Sequence, residues 1–391
     1  MVMDERLIIK NVKIYTMSDI GVIDKGYVIV ENGKIKSVGR GDVKLGSNDE
    51  IIDGEGQILL PGLIDAHSHV GFQRLEWIPE ESLVEVSDPL TPHYSVLDNF
   101  DPYDPAFKDA IMGGVTTVAV LPGSHMSFLV GENINIIPGR LAIIKTNGKV
   151  LVENAGLKIA VGEHPKRFLS SNKMIPTTRM GIFASIRSIL VKTMEYMDRK
   201  EKGEKIPIDL KLEALADVLK GKIPVRIHVH TVRDIINIIR VLEDFNVRRI
   251  VLDHATESYI VADMLKEKHI PVVLGPIVFS RRGVELKNLS SKIPVKLYEK
   301  GVLFSLTTDH PTIPIQYLTL LAGVAVGEGL PYMEALKAIT INPAKILGLD
   351  NDIGSIEPGK EADLALFSDD PLDPTSKVSL TIINGEVVYR R

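Results

Sequence analysis

The 391-residue sequence contains no cysteine. Disulfides and thiolate metal ligands are therefore excluded, and a transition-metal site has to be built from histidine, carboxylate or a modified lysine. Long apolar runs are missing too. No stretch approaches about 18 uninterrupted apolar residues, so no transmembrane helix is expected. The opening MVMDERLIIKNVKIYT carries charges inside its apolar stretch and lacks the apolar region of a signal peptide. Neither charge sign dominates: 46 Lys and Arg stand against 51 Asp and Glu. That balance leaves no basic footprint for a nucleic acid. The expectation is a cytoplasmic protein with neither a nucleic-acid nor a membrane partner. Missing cysteine, together with many Ile and Lys and proline-punctuated loops, points to a thermophilic source.

What is present is a large core: 45% of residues are hydrophobic and 25% charged. The two ends of the chain share one grammar. RLIIKNVKIYT, GYVIVENGKIKSVG and EIIDGEGQ read as strands near the start, as do DLALFSDDP and SLTIINGEVVYRR near the end. Asn32-Gly33 and Asn384-Gly385 are hairpin signals. Residues 1–58 plus 349–391 are thus expected to form one small β-sandwich domain. Residues 59–348 alternate apolar strands (LPGLIDAH, VTTVAVLP, LKIAVG, PVRIHVH, RIVLDH, IPVVLG, GVLFSLTTD) with amphipathic helices, among them YMEALKAITINPAKILG. This predicts an α/β fold, a (β/α)8 TIM-type barrel. Between Leu121 and Leu157 no helix is evident, and an extra strand is expected within RLAIIK.

Chemistry collects at the strand ends. In PGLIDAHSHVG the strand finishes in His67-Ser68-His69, and alternation along a strand sends residues i and i+2 to one face. Both imidazoles can therefore converge on one point, and neutral imidazole is the commonest metal ligand. His228 and His230 close PVRIHVH, His254 closes RIVLDH, and Asp309 closes GVLFSLTTD, followed by His310. Barrel active sites are assembled from different strand ends in this way.

These segments, together with GGVTTVAVLPG and AITINPAKILGLDNDIGSIEPGKEADLALF, resemble the amidohydrolase superfamily over nearly the whole chain. The sequence is most similar to its imidazolonepropionase- and prolidase-like members, particularly a branch with a Gly-Glu-Asn-Pro-Lys motif. The resemblance implies one or two divalent metal ions, zinc above all. His67, His69 and Asp309 would bind one ion, and His228 and His254 a second. His230 is the alternative to His228; otherwise it faces substrate or supports the site. A bridging ligand is expected from the middle strands, with Glu163 the candidate and Lys145 and Lys166 its rivals. His164 replaces the branch's Asn, and Pro138-Gly139-Arg140 stands where similar sequences carry Gly-Gly-Gln. Arg233 and His310 are further substrate-binding or supporting candidates, and His93, Tyr94, His125 and Trp77 are possible pocket residues.

The implied reaction is hydrolysis of a C–N bond in an amide, cyclic amide or dipeptide, with metal-activated water as nucleophile and Asp309 as proton carrier. Deaminases of the superfamily are the first alternative. They typically carry a Glu three residues after the fifth-strand histidine, where this sequence has Thr231, or Arg233 when counted from His230. A non-catalytic assembly protein on the same fold is the second. The partner is expected to be a small-molecule substrate, with a homo-oligomer as an option implied by analogy.

Overall fold

The computed structural model describes residues 6–72, 85, 87–123, 125–127, 131–133, 135–171, 173–281 and 283–391, with backbone alone at 125–127, 131–133, 168 and 171. Trp77 and the side chain of His125 lie outside the described residues.

Eight strands form the central sheet in chain order: Leu63–Ser68, Val115–Val120, Gly139–Lys145, Val150–Ala160, Val225–Val229, Ile250–His254, Val272–Leu274 and Phe304–Leu306. Most of their residues are buried, as expected for barrel strands covered by helices. The strand foreseen in RLAIIK is there, but it runs antiparallel to both neighbours, whereas every other pairing is parallel. The result is a mixed TIM-type barrel. The cause is local: Asn147-Gly148 makes a tight turn into the next strand, and a short turn can join only antiparallel strands.

The sheet closes without a continuous ladder between its first and last strands. Thr307 Oγ1 donates to His67 O at 2.6 Å, and His69 N donates to His310 O at 3.0 Å. The predicted helix YMEALKAITINPAKILG is in fact two, Tyr332–Lys337 and Ile341–Leu347. Pro343 has no N–H to give and its ring bars the carbonyl four residues back. That carbonyl, Ile339 O, instead accepts from Ile64 N at 2.9 Å, and Ala338 O accepts from Leu306 N at 2.9 Å. The break therefore helps tie the first barrel strand to the last.

Strands from both ends of the chain pair in a second eight-stranded sheet. Ile58–Pro61 lies antiparallel to Leu364–Phe367 and parallel to the first strand, Leu7–Tyr15. Gly62 links this sheet to the barrel at close quarters: a Cβ there would stand 2.2 Å from Thr116 Oγ1, so only glycine fits. Among the described residues no helix is long and apolar enough to cross a membrane.

Candidate metal centre

The strand Leu63–Ser68 delivers His67 and, one residue beyond it, His69. Asp309 arrives from the far side of the barrel seam. Its Oδ1 is 3.5 Å from His67 Nε2 and 3.6 Å from His69 Nε2. One ligand atom from each of the three residues falls within 4.8 Å of the others. Asp65, two residues before His67, brackets the seam. Its carboxylate accepts from Thr307 Oγ1 (2.6 Å), Thr308 Oγ1 (2.6 Å), Thr308 N (3.0 Å) and His67 N (3.1 Å).

The remaining imidazoles adjoin this trio. The ring of His254 is 4.7 Å from those of both His67 and His228, and His228 is 4.9 Å from His230. His69 Nδ1 lies 2.8 Å from Leu121 O, and His254 Nδ1 lies 2.8 Å from Gly275 O. A carbonyl only accepts, so both rings carry their proton on Nδ1 and keep the Nε2 lone pair for a ligand. His230 Nδ1 is engaged by Thr256 Oγ1 at 2.8 Å. His254, Ala255 and Asp309 hold left-handed backbone, with φ of 65°, 40° and 51°. Such conformations cost about 1–3 kcal/mol each and cluster where a site demands them.

Burial sets the protonation states. It holds His67 down to about 3, against the pull of Asp253, and keeps His69, His228 and His230 below the ordinary imidazole value. These rings are neutral at neutral pH, the form that binds metals. Burial would raise the Asp309 carboxyl, but His254, His69 and His67 outweigh it and hold it well below the usual carboxylate range. Asp253 is likewise held low by Arg226 and His67 despite burial.

Several predicted residues sit elsewhere. Glu163 does not join the cluster: it opens the helix Glu163–Ser171, and its carboxylate pairs with Arg179 (3.1 Å) and Lys166 (3.2 Å). The nearby cations capture it before it can reach inward, and the same contact commits Lys166. Lys145 is fully buried but faces Asp363 and Glu361 of the C-terminal segment. The side chain of Arg233 is 61% exposed on the helix Val232–Asp244 and lies 3.8 Å from Asp234. His310 is buried, and its Nδ1 accepts from Ile315 N at 3.2 Å, a scaffolding role. His93 and Tyr94 pack on Pro138-Gly139-Arg140, where Arg140 donates to both of their carbonyls. His164 does reach the site, its ring 5.3 Å from His228 and 5.5 Å from His230.

Three residues were missed. Lys158, on Val150–Ala160, is fully buried and donates to Gly123 O at 2.6 Å. Burial brings its ammonium down to about 8, while Asp253 and Asp309 pull the other way. Asp253 stands 3.2 Å from His67 Nδ1, and Arg226 holds that carboxylate while donating to Ala66 O at 2.8 Å. Each had a faint signal in the sequence: a lone charge inside an otherwise apolar strand, at 158 and 226, or directly before a candidate ligand, at 253.

The donor set fits a divalent cation. Among the described residues, His67 Nε2, His69 Nε2, both nitrogens of His228, and Asp309 Oδ1 are buried without hydrogen-bond partners. A buried polar atom left unpaired costs about 1–3 kcal/mol. Neutral imidazoles and an ionised carboxylate, all offering lone pairs and none a proton to the others, are satisfied together by a cation such as zinc.

The chain is similar to an amidohydrolase of known structure from Thermotoga maritima MSB8, with 40% identity and a TM-score of 0.93, covering 98% of this chain and 100% of that one. Amidohydrolase tasK of Hapsidospora irregularis is 27% identical over 89% of this chain, which spans only 38% of tasK. A 5-methylthioadenosine/S-adenosylhomocysteine deaminase of Syntrophomonas wolfei is 24% identical, with 93% of this chain and 85% of the deaminase covered. An imidazolonepropionase of Alkaliphilus oremlandii is 23% identical over 90% of this chain and 86% of its own. The profile described as "Amidohydrolase family" matches residues 58–388, which span the barrel and the returning C-terminal strands, and the chain belongs to that family.

Proposed function

We propose that the protein is a metal-dependent hydrolase that cleaves a C–N bond in a small-molecule amide, cyclic amide or dipeptide. The observation that carries this reading is the convergence of partnerless buried lone pairs from His67, His69, His228 and Asp309 on one region of the barrel. His67, His69 and Asp309 would hold one ion, and His228 and His254 the other. Lys158, rather than Glu163, is the bridging candidate: it is buried on a middle strand and its depressed pKa favours the neutral amine that can be modified. A divalent metal, when bound, supplies a Lewis acid and lowers the pKa of a water from about 15.7 towards about 7.

The chain's own residues do the rest. Asp309, ionised at neutral pH, accepts a proton from the attacking water and passes it to the leaving nitrogen. His230, steadied by Thr256, is read as facing substrate. Residues 1–58 and 349–391 are read as a β-sandwich unit flanking the barrel, a division supported by the pairing of Ile58–Pro61 with Leu364–Phe367.

Deamination is the second reading, favoured by the deaminase among the similar proteins. It lacks an acid at Thr231 or Arg233. Glu257, three residues after His254, is committed to Val232 N (2.8 Å) and Asn288 Nδ2 (2.6 Å). Metal analysis beside the double variant His67→Ala, His69→Ala tests the proposal. One to two equivalents of zinc, lost in the variant, are expected, with turnover in a panel of amides, cyclic amides, N-acyl dipeptides and prolyl dipeptides. No metal after reconstitution with zinc, manganese or cobalt overturns it.

A further inference from the structure

Beside the imidazoles lies a narrow cavity with two unlike walls. One is His228, His230, His254, Thr256, Asp309 and Thr312; the other is Pro276, Phe279, Leu286 and Leu289, all from the segment that follows Gly275. Leu286 and Leu289 are buried, at 7% and 6% exposure, and both line this cavity. The apolar wall itself offers an incoming group no charged side chain and no side-chain hydrogen-bond donor.

The open space is about 20 Å³, room for a water but not for a substrate group. An occupant larger than water therefore has to displace side chains of the apolar wall, which belong to one segment of the chain. That segment is clasped at its far end: Glu285 accepts from Glu163 N at 2.7 Å and from Arg179 at 3.2 Å, and Asn288 donates to Glu257 at 2.6 Å.

We propose that Pro276, Phe279, Leu286 and Leu289 form the subsite for an uncharged apolar group attached next to the scissile C–N bond. The substrates are then compounds with an aliphatic or aromatic side group rather than a carboxylate at this position. The assignment rests on the hydrolase reading above for the location of the reacting bond, and goes beyond it in naming the neighbouring group.

The test compares acetohydroxamate, 4-methylpentanehydroxamate and succinic monohydroxamate by calorimetry on zinc-loaded protein. Each methylene buried on the apolar wall is worth about fourfold in affinity. The branched probe is expected to bind at least tenfold tighter than acetohydroxamate, and the carboxylate probe no tighter. In Phe279→Ala and Leu289→Ala the tenfold ratio should fall below threefold, and Leu289→Met should keep it. Equal affinities, or preference for the carboxylate probe, overturn the inference. A separate arm needs no metal: ligand-observed NMR of 4-methylpentanamide on the metal-free protein, expected to show methyl saturation that Phe279→Ala abolishes. Zinc that fails to bind sinks the hydrolase reading alone; amide saturation that does not depend on Phe279 sinks the apolar subsite alone.

Discussion

His67 Nδ1 lies 3.2 Å from Asp253 Oδ1, and the same carboxylate is gripped by the buried guanidinium of Arg226. One aspartate thus orients a proposed metal ligand and neutralises an arginine inside the barrel. Asp253→Asn should do two things. Metal affinity should drop by about 10–100-fold, the usual effect of losing a ligand's orienting partner. The metal-free protein should lose about 3–5 kcal/mol, because Arg226 keeps its charge without a counter-ion. Chelator competition reads the first and urea unfolding the second.

Acid should weaken the metal-free protein before most of its carboxylates titrate, with Glu285, raised by burial to about 7, offsetting about one proton of the effect. Burial lowers His310 to about 4, and His67 and His164 to about 3, from an ordinary value of 6.5. Between those values and 6.5 the unfolded chain binds protons that the folded chain refuses. The contribution is intact above about pH 6.5 and is lost as pH falls through that window. Each such group adds a slope of about 1.4 kcal/mol per pH unit. Urea midpoints at pH 7.5, 6 and 5 should fall accordingly, and His164→Asn should flatten the dependence by one proton's worth. A flat profile would contradict the neutral cluster.

Lys158→Ala and Glu163→Ala separate the two bridging candidates. The lysine variant should retain at most one metal equivalent after reconstitution. The glutamate variant should bind as much as the parent, because its carboxylate is spent on Arg179 and Lys166. Its stability should fall by only about 1 kcal/mol, because Arg179 keeps Asp234 and Glu285 as partners. Metal stoichiometry by mass spectrometry decides, and the opposite ranking would restore Glu163.

Gly162→Ala should loosen the segment that carries the apolar wall. Gly162 has φ of 109°, and a Cβ there would stand 2.4 Å from Glu285 Oε1. Strain of about 1–3 kcal/mol follows from the backbone alone. Glu285 must also retreat from Glu163 N. Hydrogen exchange in residues 276–289 should rise in the variant while the barrel strands keep their protection.

Much of this arrangement was legible in the chain itself. His67-Ser68-His69 at the end of an apolar strand announced the site, and Asn32-Gly33 and Asn384-Gly385 announced the hairpins, because those signals are local. The direction of Gly139–Lys145 was within reach too: an apolar run has the same pattern whichever way it points, but the Asn147-Gly148 turn after it is itself a hairpin signal. Glu163 stands ahead of Lys145 and Lys166 in the sequence because a carboxylate after a strand looks like a ligand, and Lys158 escapes notice. A lysine in LKIAVG looks like an edge residue until Asp253 and Asp309, from distant strands, surround it. Arg226 was within reach, since it stands two residues before His228 and so shares its face.

The seam between the first and last barrel strands has a consequence for how the protein is made. His67 and Thr307, bonded across it, are 240 residues apart in the chain. Loop closure over such a span is among the slowest events in folding. Asp309 reaches the two histidines only after that closure, so the metal site exists in no fragment that ends before the last strand. An ion seated there would act as a clasp on the finished ring. It would add its binding energy to the whole barrel rather than to one loop, and a nascent chain could not assemble the His67, His69 and Asp309 set before the last barrel strand had been made.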